Sequence, residues 1–306
     1  MALALGFSMV GPCLATRSEA APQVDAQRSN QEEGLQQLIR VADGGDPAAQ
    51  FFLGRMYEDG FVVPRDYKKA VEWYRRAAEQ GAPEGLRAMG VMYDFGLGVA
   101  QNFSIAMQWY LEAATAGDAI AENNLGVMYQ RGAGVGIDYF EAVKWYTRSA
   151  DHGHQRAIAN LGAMYAYGLG FEKDTDNGIR MIRMVAEAGD EGAMHDLAGA
   201  YKEGVGVPQD DAEARKWLRR AADGGHPIAA HTLGQAYRDG EGVARDRTEA
   251  LTWFIVAEAR LATNGSTPEA RRVLSQSRDD LIRALSVEQV QAARKRAAQV
   301  LGRLEP

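Results

Sequence analysis

Apolar residues recur at helical spacing twice within residues 45–81. The first apolar stripe comprises Ala49, Leu53, Gly54 and Tyr57, and the second comprises Ala70, Trp73, Tyr74 and Ala77. Spacings of three and four residues predict one amphipathic helix from each stripe. Two such helices cannot bury both stripes by themselves, so neighbouring units of the same kind must complete the core.

Polar residues, proline and glycine indicate where these two helices begin and end. Asp46 followed by Pro47 predicts the start of the first helix, because proline suits the first helical position. Gly60 predicts its end, since glycine adopts the left-handed conformation without strain. Asp66 predicts the cap of the second helix, and Gly81 ends that helix.

The same landmarks recur along the chain with a period of 36 residues. Glycine opens each unit at positions 45, 81, 117, 153, 189 and 225, which define repeats 1 to 6, and Asp or Asn stands at 66, 102, 138, 174, 210 and 246. Such self-similarity predicts a repeat protein of stacked helix pairs. All five tryptophans fall on one repeat position, with Met181 in the sixth place. We assign to the core the aromatic residues of two repeat positions: Tyr57, Trp73, Tyr93, Trp109, Tyr129, Trp145, Tyr165, Tyr201, Trp217, Tyr237 and Trp253.

The unit resembles the Sel-1-like repeat, a relative of the tetratricopeptide repeat with a slightly longer period. The pattern in this chain reads A-x3-LG-x2-Y-x2-G-x-GV-x2-D-x3-A-x2-WY-x2-AA-x2-G, and it is best kept in repeats 2, 3 and 6. The resemblance implies an all-α fold. It is expected to be a right-handed alpha-alpha superhelix, or solenoid, of six 36-residue helix-turn-helix repeats with N- and C-terminal capping helices.

Two units depart from the pattern. Repeat 1 has Val62 where the others have glycine, and repeat 4 replaces Val, Ala, Trp and an aromatic residue or Leu by Phe171, Gly178, Met181 and Ile182. We expect repeat 4 to pack less tightly than its neighbours. A hinge, a docking point and tolerated drift remain open as the meaning of its departures.

The segments outside the repeats predict capping helices. Residues 31–44 are typical of a lone second helix that covers repeat 1, and the repeats themselves occupy 45–262. Residues 267–306 predict two closing helices, the second of which begins at Ser286 with capping-box spacing to Gln289. Such helices shield the open ends of a solenoid from water.

Residues 1–20 begin with the most hydrophobic stretch of the chain, MALALGFSMVGPCLA. The stretch is too short to span a bilayer, which needs about 20 apolar residues. It suits the core of a secretory signal with a cleavage site at Ser18-Glu19-Ala20, and disorder is expected over 21–30. No basic residue precedes the stretch, so an upstream start and a disordered terminus remain open. We expect a periplasmic or secreted protein, with a cytoplasmic one as the alternative.

Composition narrows the possible partners. The 306 residues carry a formal net charge of −7, and residues 267–306 hold eight basic against five acidic residues. The closing segment is therefore +3 and the remainder −10, which argues against nucleic acid and favours a polypeptide partner. Cys13 is the one cysteine, so no intramolecular disulfide can form.

No motif of established chemistry occurs in the chain. Gly-x-x-x-x-Gly-Lys-Ser/Thr, His-Glu-x-x-His, Gly-x-Ser-x-Gly and Ser-x-x-Lys are all missing. We therefore predict no catalytic residue, no cofactor and no metal site. Some cysteine-rich relatives of the family have been linked to penicillin binding and β-lactam hydrolysis, but their repeats are held by disulfides that this chain cannot form.

Among the residues that could bind a metal ion, the histidines are the first candidates, but their positions argue against a metal site. His154 and His226 share a repeat position at the start of a first helix, where we expect solvated side chains. His195 and His231 lie one period apart on neighbouring first helices. Packed helices stand about 8–10 Å apart, which makes a shared zinc ion difficult.

In related tetratricopeptide solenoids, the first helix of each unit lines a concave groove that binds extended peptides or partner helices. The shared Leu-Gly-x-x-Tyr register places in the middle of that groove Phe95, Asn124, Arg131, Asn160 and Tyr167. Aromatic anchors beside Asn and Arg are typical of a peptide-binding hot spot. The alternative is that these are variable solvent-facing residues with no single role.

Several functions remain open. The first is a non-catalytic scaffold or adaptor, monomeric, that binds a protein or peptide partner in the groove, in the bacterial envelope. The second is a hydrolase of β-lactam or peptidoglycan-like substrates, by analogy with the cysteine-rich relatives. An inert structural spacer would differ from the adaptor only in lacking a saturable partner.

Overall fold

The computed structural model describes residues 33–60, 62–263 and 268–302, and within these ranges it contains fifteen helices and no strand. Helix α1 covers 33–43. The others are α2 (Pro47–Asp59), α3 (Tyr67–Glu79), α4 (Pro83–Phe95), α5 (Phe103–Thr115), α6 (Ala119–Arg131), α7 (Tyr139–Asp151), α8 (Gln155–Tyr167), α9 (Thr175–Glu187), α10 (Glu191–Glu203), α11 (Asp211–Gly224), α12 (Pro227–Asp239), α13 (Arg247–Thr263), α14 (Pro268–Ala284) and α15 (Val287–Gly302). The even-numbered helices α2 to α12 are the first helices of the six repeats, and the odd-numbered α3 to α13 are the second helices.

Each second helix is capped by the Asp or Asn that the sequence pattern singles out. The Asp66 side chain accepts hydrogen bonds from the backbone N–H groups of Lys68 and Lys69. In the other five repeats the corresponding Asp or Asn side chain also accepts a backbone N–H of the first turn of its second helix. The backbone N–H of Asp66 also donates to the carbonyl oxygen of Tyr57 at 2.8 Å. This bond recurs in every repeat at 2.8–3.0 Å and closes the loop between the two helices.

Glycine ends the first helices where a left-handed backbone is required. Gly60 and its five equivalents have φ between 68° and 79°. Two residues later a second left-handed position follows, and five repeats have glycine there. Repeat 1 has Val62 with φ 67°, a conformation that a β-branched residue adopts only under strain.

The helices stack in chain order, each packing mainly against the helix before it and the helix after it. Among the repeat helices that are two places apart in the chain, contacts are most extensive for α2 with α4 and for α8 with α10, which are neighbouring first helices. The predicted all-α solenoid of six repeats is confirmed.

An aromatic ring packed on a glycine joins the two helices of a repeat. Tyr74, Tyr110 and Tyr146 are fully buried on their second helices. A Cβ atom added at Gly126 would stand 2.6 Å from ring carbons of Tyr146, and the same holds for Gly54 and Gly90 opposite their tyrosines. The glycine is therefore needed because the ring lies directly on the backbone of the first helix.

The tryptophans assigned to the core all contact it but differ in how deeply they are buried. Trp253 is fully buried, but Trp73, Trp109, Trp145 and Trp217 are half-buried. Each of these four lies at the edge of the apolar face, one residue before the side chain that points into the core, and three of them carry an arginine guanidinium over the ring. Trp253 differs because its core cluster includes Leu274 of α14 and Ala297 of α15. The tyrosines of the first helices are likewise half-buried against the core clusters.

Repeat 4 is closely packed, contrary to the expectation from its sequence. Gly178 lies against Gly162, where an added Cβ would come within 2.3 Å of the Gly162 carbonyl oxygen. Because residue 178 has no side chain, the backbones of α8 and α9 can approach each other directly. Phe171 stacks on Tyr165 with 4.0 Å between ring centroids, which fills the loop of this repeat.

Helices at both ends cover the terminal repeats. Ala42 of α1 is buried in a cluster with Ala49 and Leu53, and Trp73 packs against that cluster. At the other end both α14 and α15 pack on α13. Residues 1–32 lie outside the described residues, so the signal segment 1–20 and the disorder over 21–30 stay predictions. No helix in the described ranges is long and apolar enough to cross a membrane.

Candidate partner-binding groove

The first helices present one solvent-facing stripe each, which together form a surface that we call the groove face. It consists of the residues three, seven, ten and fourteen places after each opening glycine. At 3.6 residues per turn these places fall within about 60° of one another around the helix. The buried residues of the same helices, such as Leu53 and Leu125, lie on the opposite side.

Polar side chains bridge neighbouring first helices near this face. The pairs are Arg87 with Asp118 at 2.9 Å, Asn160 with Asn123 at 2.8 Å, and Arg156 with Asp190 at 2.9 Å and with Asp196 at 3.2 Å. Asp118 and Asp190 also cap α6 and α10, so one carboxylate holds both a helix terminus and the neighbouring helix. The ladder of pairs fixes the spacing of the first helices.

A second polar cluster surrounds Asp94 at the end of α4. Arg131 of α6 forms an ion pair with its carboxylate, and the Tyr110 hydroxyl hydrogen-bonds to it from α5. Burial raises the pKa of Asp94 above its ordinary value, although the Arg131 charge opposes this shift. Asn124 in turn hydrogen-bonds to Tyr110. The cluster connects three helices of two repeats.

The structure distributes the five predicted groove residues over several roles. Asn124 and Arg131 meet through Tyr110 and Asp94, and Asn160 is bonded to Asn123 rather than to either of them. Phe95 is half-buried and packs against the core of repeats 1 to 3. Tyr167 alone among the five is an exposed aromatic side chain. All five stand at places of the groove face: three make polar contacts within the fold, one packs partly against the core, and one is an exposed aromatic side chain.

Sequence reasoning did not single out Asp94. It lies thirteen places after its opening glycine, just off the stripe that the resemblance assigned to the groove. A signal does exist, because the three repeats with a second-helix tyrosine at place 29 have Glu58, Asp94 and Gln130 at place 13. Each of these three side chains accepts a hydrogen bond from the tyrosine hydroxyl.

Large apolar side chains stand exposed along the groove face. The exposed fractions are 59% for Phe52, 41% for Ile120, 53% for Tyr167 and 57% for Ile228. They sit on α2, α6, α8 and α12, each on the stripe defined above. Other large apolar side chains, among them Phe140 and Met184, are exposed on second helices, so exposure alone does not distinguish the groove face.

The histidines form no metal site within the described residues. His195 stacks on His226 with 5.0 Å between ring centroids, while His231 lies against Phe254. His226 is mostly buried, contrary to the expectation of a solvated side chain, and its Nδ1 accepts the Ala229 N–H at 3.1 Å. Burial, together with His195, lowers the pKa of His226 to about 4.

Comparison with known proteins gives a consistent picture. The model of the Sel1 repeat matches six times, over residues 47–81, 83–118, 119–154, 155–190, 192–226 and 227–259. A solved Sel1 repeat protein from Oxalobacter formigenes is 34% identical, with a TM-score of 0.58 over 70% of this chain and 85% of that one.

Two further solved structures are similar. A protective antigen of uropathogenic Escherichia coli strains that displays an SLR fold is 27% identical, with a TM-score of 0.53 over 90% of this chain and 65% of its own length. A protein of Pseudomonas aeruginosa has a TM-score of 0.53 at 18% identity over 72% of this chain and 83% of that one, which is a likeness of fold alone. No match was found among proteins of curated function.

Proposed function

Because the chain belongs to the Sel1 repeat family, whose members generally mediate protein–protein interaction, we propose that it is a non-catalytic adaptor that holds a partner polypeptide on the groove face. The observation that carries the proposal is the set of exposed apolar side chains on the first helices. Tyr167 and Phe52 provide aromatic anchors of the kind that dominate binding energy at interfaces.

The polar ladder supports a scaffold role for this face. Because Arg156 and Asn160 hold neighbouring first helices, the apolar anchors stand on a rigid surface. A pre-organised surface loses little side-chain freedom on binding, which favours affinity. The acidic body of the chain further favours a polypeptide over nucleic acid.

The hydrolase alternative would need a general acid or base in the groove. Asp94, whose pKa is raised by burial, has the titration expected of such a group. Its carboxylate is engaged by Arg131 and by the Tyr110 hydroxyl, which suits a structural bridge between repeats. We therefore place the adaptor first, and an assay with β-lactam and peptidoglycan substrates tests the alternative directly.

The proposal extends to location and assembly. The apolar N-terminal stretch supports export to the envelope, and cell fractionation of the natively expressed protein tests this. We propose a monomer that binds its partner with one groove, and light scattering of the purified chain checks that state. A cytoplasmic pool or a stable dimer would overturn the respective statement.

The test of the function uses photocrosslinking from single positions in living cells. A photoreactive phenylalanine analogue replaces Tyr167 on the groove face, and in the control it replaces Phe140, which is 70% exposed on α7. We expect a discrete crosslinked partner from position 167 and none from position 140. The same partner captured equally from both positions, or only from position 140, contradicts binding on the groove face.

Binding of the identified partner is then measured with matched variants. Ile120→Ser with Tyr167→Ser removes two exposed groove anchors, while Phe140→Ser with Met184→Ser removes two exposed side chains of second helices. The first pair should weaken binding at least tenfold, and the second should leave it unchanged. Circular dichroism should show equal helix content for both, because none of the four side chains is buried.

A further inference from the structure

A cavity of about 430 Å³ lies between repeats 5 and 6, bounded by α10, α11 and α12. Fourteen residues line it: the small or apolar Ala198, Gly199, Ala214, Leu218, Ala236 and Gly242, and the polar or charged His195, Lys202, Glu203, Asp211, Arg215, Thr232, Gln235 and Glu241. The volume is that of a small-molecule or large side-chain site. Nothing in the repeat pattern requires such a space, so its origin must lie in the residues of these two repeats.

Two side chains that are buried between the earlier repeats are replaced by smaller ones here, as they also are between repeats 4 and 5 at Ile182 and Ala200. In repeats 1 to 3 a tyrosine of the second helix shares a core cluster with a methionine of the next first helix, and the pairs are Tyr74 with Met92, Tyr110 with Met128, and Tyr146 with Met164. Leu218 stands at the place of the tyrosine and Ala236 at the place of the methionine. Both losses occur at the same interface and both residues line the cavity.

Gly199 opens this space to the groove face. It stands at the tenth place after its opening glycine, where repeats 1 to 4 have Arg55, Val91, Val127 and Ala163. A Cβ atom added at Gly199 would meet nothing within 4 Å. Since this place belongs to the stripe that defines the groove face, the cavity is entered from the groove.

Charged residues surround the entrance. Lys202 and Glu241 face each other at 3.9 Å, both largely exposed, and Glu203 and Arg215 also line the cavity. The cavity thus has an apolar interior and a charged rim. A side chain that enters it loses contact with water, whereas the backbone that carries it stays among polar groups.

We propose that this cavity is a subsite for one aromatic side chain, phenylalanine or tryptophan, of a polypeptide bound on the groove face. The inference rests on the proposed function, which supplies the polypeptide. An apolar ring replaces the volume that Tyr and Met fill in repeats 1 to 3, and burying it is favourable. Acidic and basic residues both line the cavity, so a charged side chain of either sign would meet like as well as opposite charges, and the lining favours neither.

Fragment binding to the full chain tests the subsite without an identified partner. The probes are N-acetyl-phenylalanine amide and N-acetyl-tryptophan amide, with N-acetyl-lysine amide, N-acetyl-aspartate amide and N-acetyl-alanine amide as comparisons. We expect saturable shifts of the Gly199, Thr232 and Gly242 amide signals in NMR spectra, with a Kd of about 1 mM for the aromatic probes. Tighter binding of the lysine or aspartate probe overturns the aromatic occupant.

Two variants fill the cavity from different sides. Ala236→Met introduces the methionine that repeats 1 to 4 have at this place, and Gly199→Val places a side chain in open space on the groove side. Each should weaken the aromatic probes at least tenfold while leaving the thermal midpoint unchanged or higher. Phe140→Ser, at an exposed side chain of α7 outside the cavity, should leave probe binding unchanged.

The outcomes separate the subsite from the proposed function. Unaltered probe binding in both filled variants, or no saturable shift around the cavity, overturns the subsite even if position 167 still captures a partner. Saturable probe binding that both filled variants abolish supports the subsite even if the photocrosslinking experiment finds no partner. With an identified partner, Ala236→Met should weaken binding at least tenfold, and replacing the partner's aromatic residue by alanine should have no further effect in that variant.

Discussion

Repeats 1 to 3 and repeats 4 to 6 share one fold, but the residues through which the two helices of a repeat contact each other differ. In the first half a buried tyrosine ring lies on a glycine and its hydroxyl meets a polar side chain, in the pairs Tyr74 with Glu58, Tyr110 with Asp94, and Tyr146 with Gln130. In the second half the same two places hold Ile182 with Ala166, Leu218 with Lys202, and Phe254 with Arg238. No hydroxyl reaches the groove from repeats 4 to 6 at this place.

The difference shows that residues at these places change together. Repeats that lack the tyrosine hydroxyl also lack a neutral or acidic hydrogen-bond acceptor at place 13. In repeat 5 the ring is lost as well and the glycine beneath it becomes Ala198, because a Cβ atom no longer collides with a ring. Repeat 4 also lacks the ring but keeps Gly162, whose added Cβ would stand 2.7 Å from the Gly178 carbonyl oxygen. Phe254 keeps the ring and accordingly keeps Gly234, whose added Cβ would stand 2.6 Å from that ring.

The largest effect should come from removing a buried ring of the first half. Tyr146→Ala should reduce the free energy of unfolding by about 3–5 kcal/mol, whereas Leu218→Ala, beside a cavity, should cost about 2 kcal/mol. Trp145→Ala should cost less than Tyr146→Ala, because Trp145 is half-buried. Urea unfolding measures the losses, and hydrogen exchange locates them within the repeat array. An equal or larger loss for Trp145→Ala would contradict the burial pattern.

The contact of ring and glycine predicts a coupled pair of substitutions. Gly126→Ala should cost about 1–3 kcal/mol, because the added methyl group collides with the Tyr146 ring. In a Tyr146→Leu background the same Gly126→Ala change should cost almost nothing, since this combination reproduces the Ala198 and Leu218 pair of repeat 5. A double-mutant cycle by urea unfolding measures the coupling. Simple additivity of the two changes would refute it.

The half-buried His226 in the second half of the chain should make the stability of the solenoid depend on pH. Because the pKa of His226 is lowered to about 4, the folded protein holds it neutral between pH 4 and its ordinary value of 6.5, while the unfolded chain takes up a proton there. Stability should therefore fall as the pH falls from about 6.5 to about 4. The loss is about 1–2 kcal/mol after allowance for partial exposure.

His226→Asn isolates this contribution. Asparagine keeps a side-chain oxygen for the Ala229 N–H and carries no titrating group. Urea unfolding at pH 7 and pH 4.5 should show that the wild-type protein loses more stability than the variant over this interval. Subtracting the stability loss of the variant from that of the wild-type protein removes the opposite contributions of Glu58 and Asp94, whose pKa values are raised by burial. Equal losses of stability in both proteins would show that His226 does not cause the pH dependence.

The smallest effect should come from the hydroxyl groups of the first half. Tyr146→Phe removes the bond from the hydroxyl to the Gln130 side chain, which measures 2.5 Å, and should cost about 1 kcal/mol. The matched change Phe254→Tyr adds a hydroxyl in repeat 6 near Arg238, where no acceptor stands at place 13, and should bring no gain. Thermal unfolding of both variants sharpens the comparison between the two halves. A gain for Phe254→Tyr would show that the hydroxyl needs no acceptor.

Much of the fold could be predicted because its signals are local. The 36-residue period, the caps at Asp66 and its equivalents, and the glycines that end the first helices depend on backbone hydrogen bonds and dihedral angles within a few residues. The same register correctly identified the fold family. Within the candidate site, the register identified Tyr167 as a groove residue but could not distinguish it from Phe95, which packs inward.

The sequence by itself determined the repeat, its helices and its family, because each rests on spacing along the chain. Only the tertiary structure decided that Tyr146 and not Trp145 is fully buried, since the two differ by one step around a helix whose buried face depends on its neighbours. It also decided that Arg131 meets Asp94 and that Leu218, Ala236 and Gly199 leave one common cavity. These contacts join residues about one repeat apart, and stacking, not local spacing, brings them together.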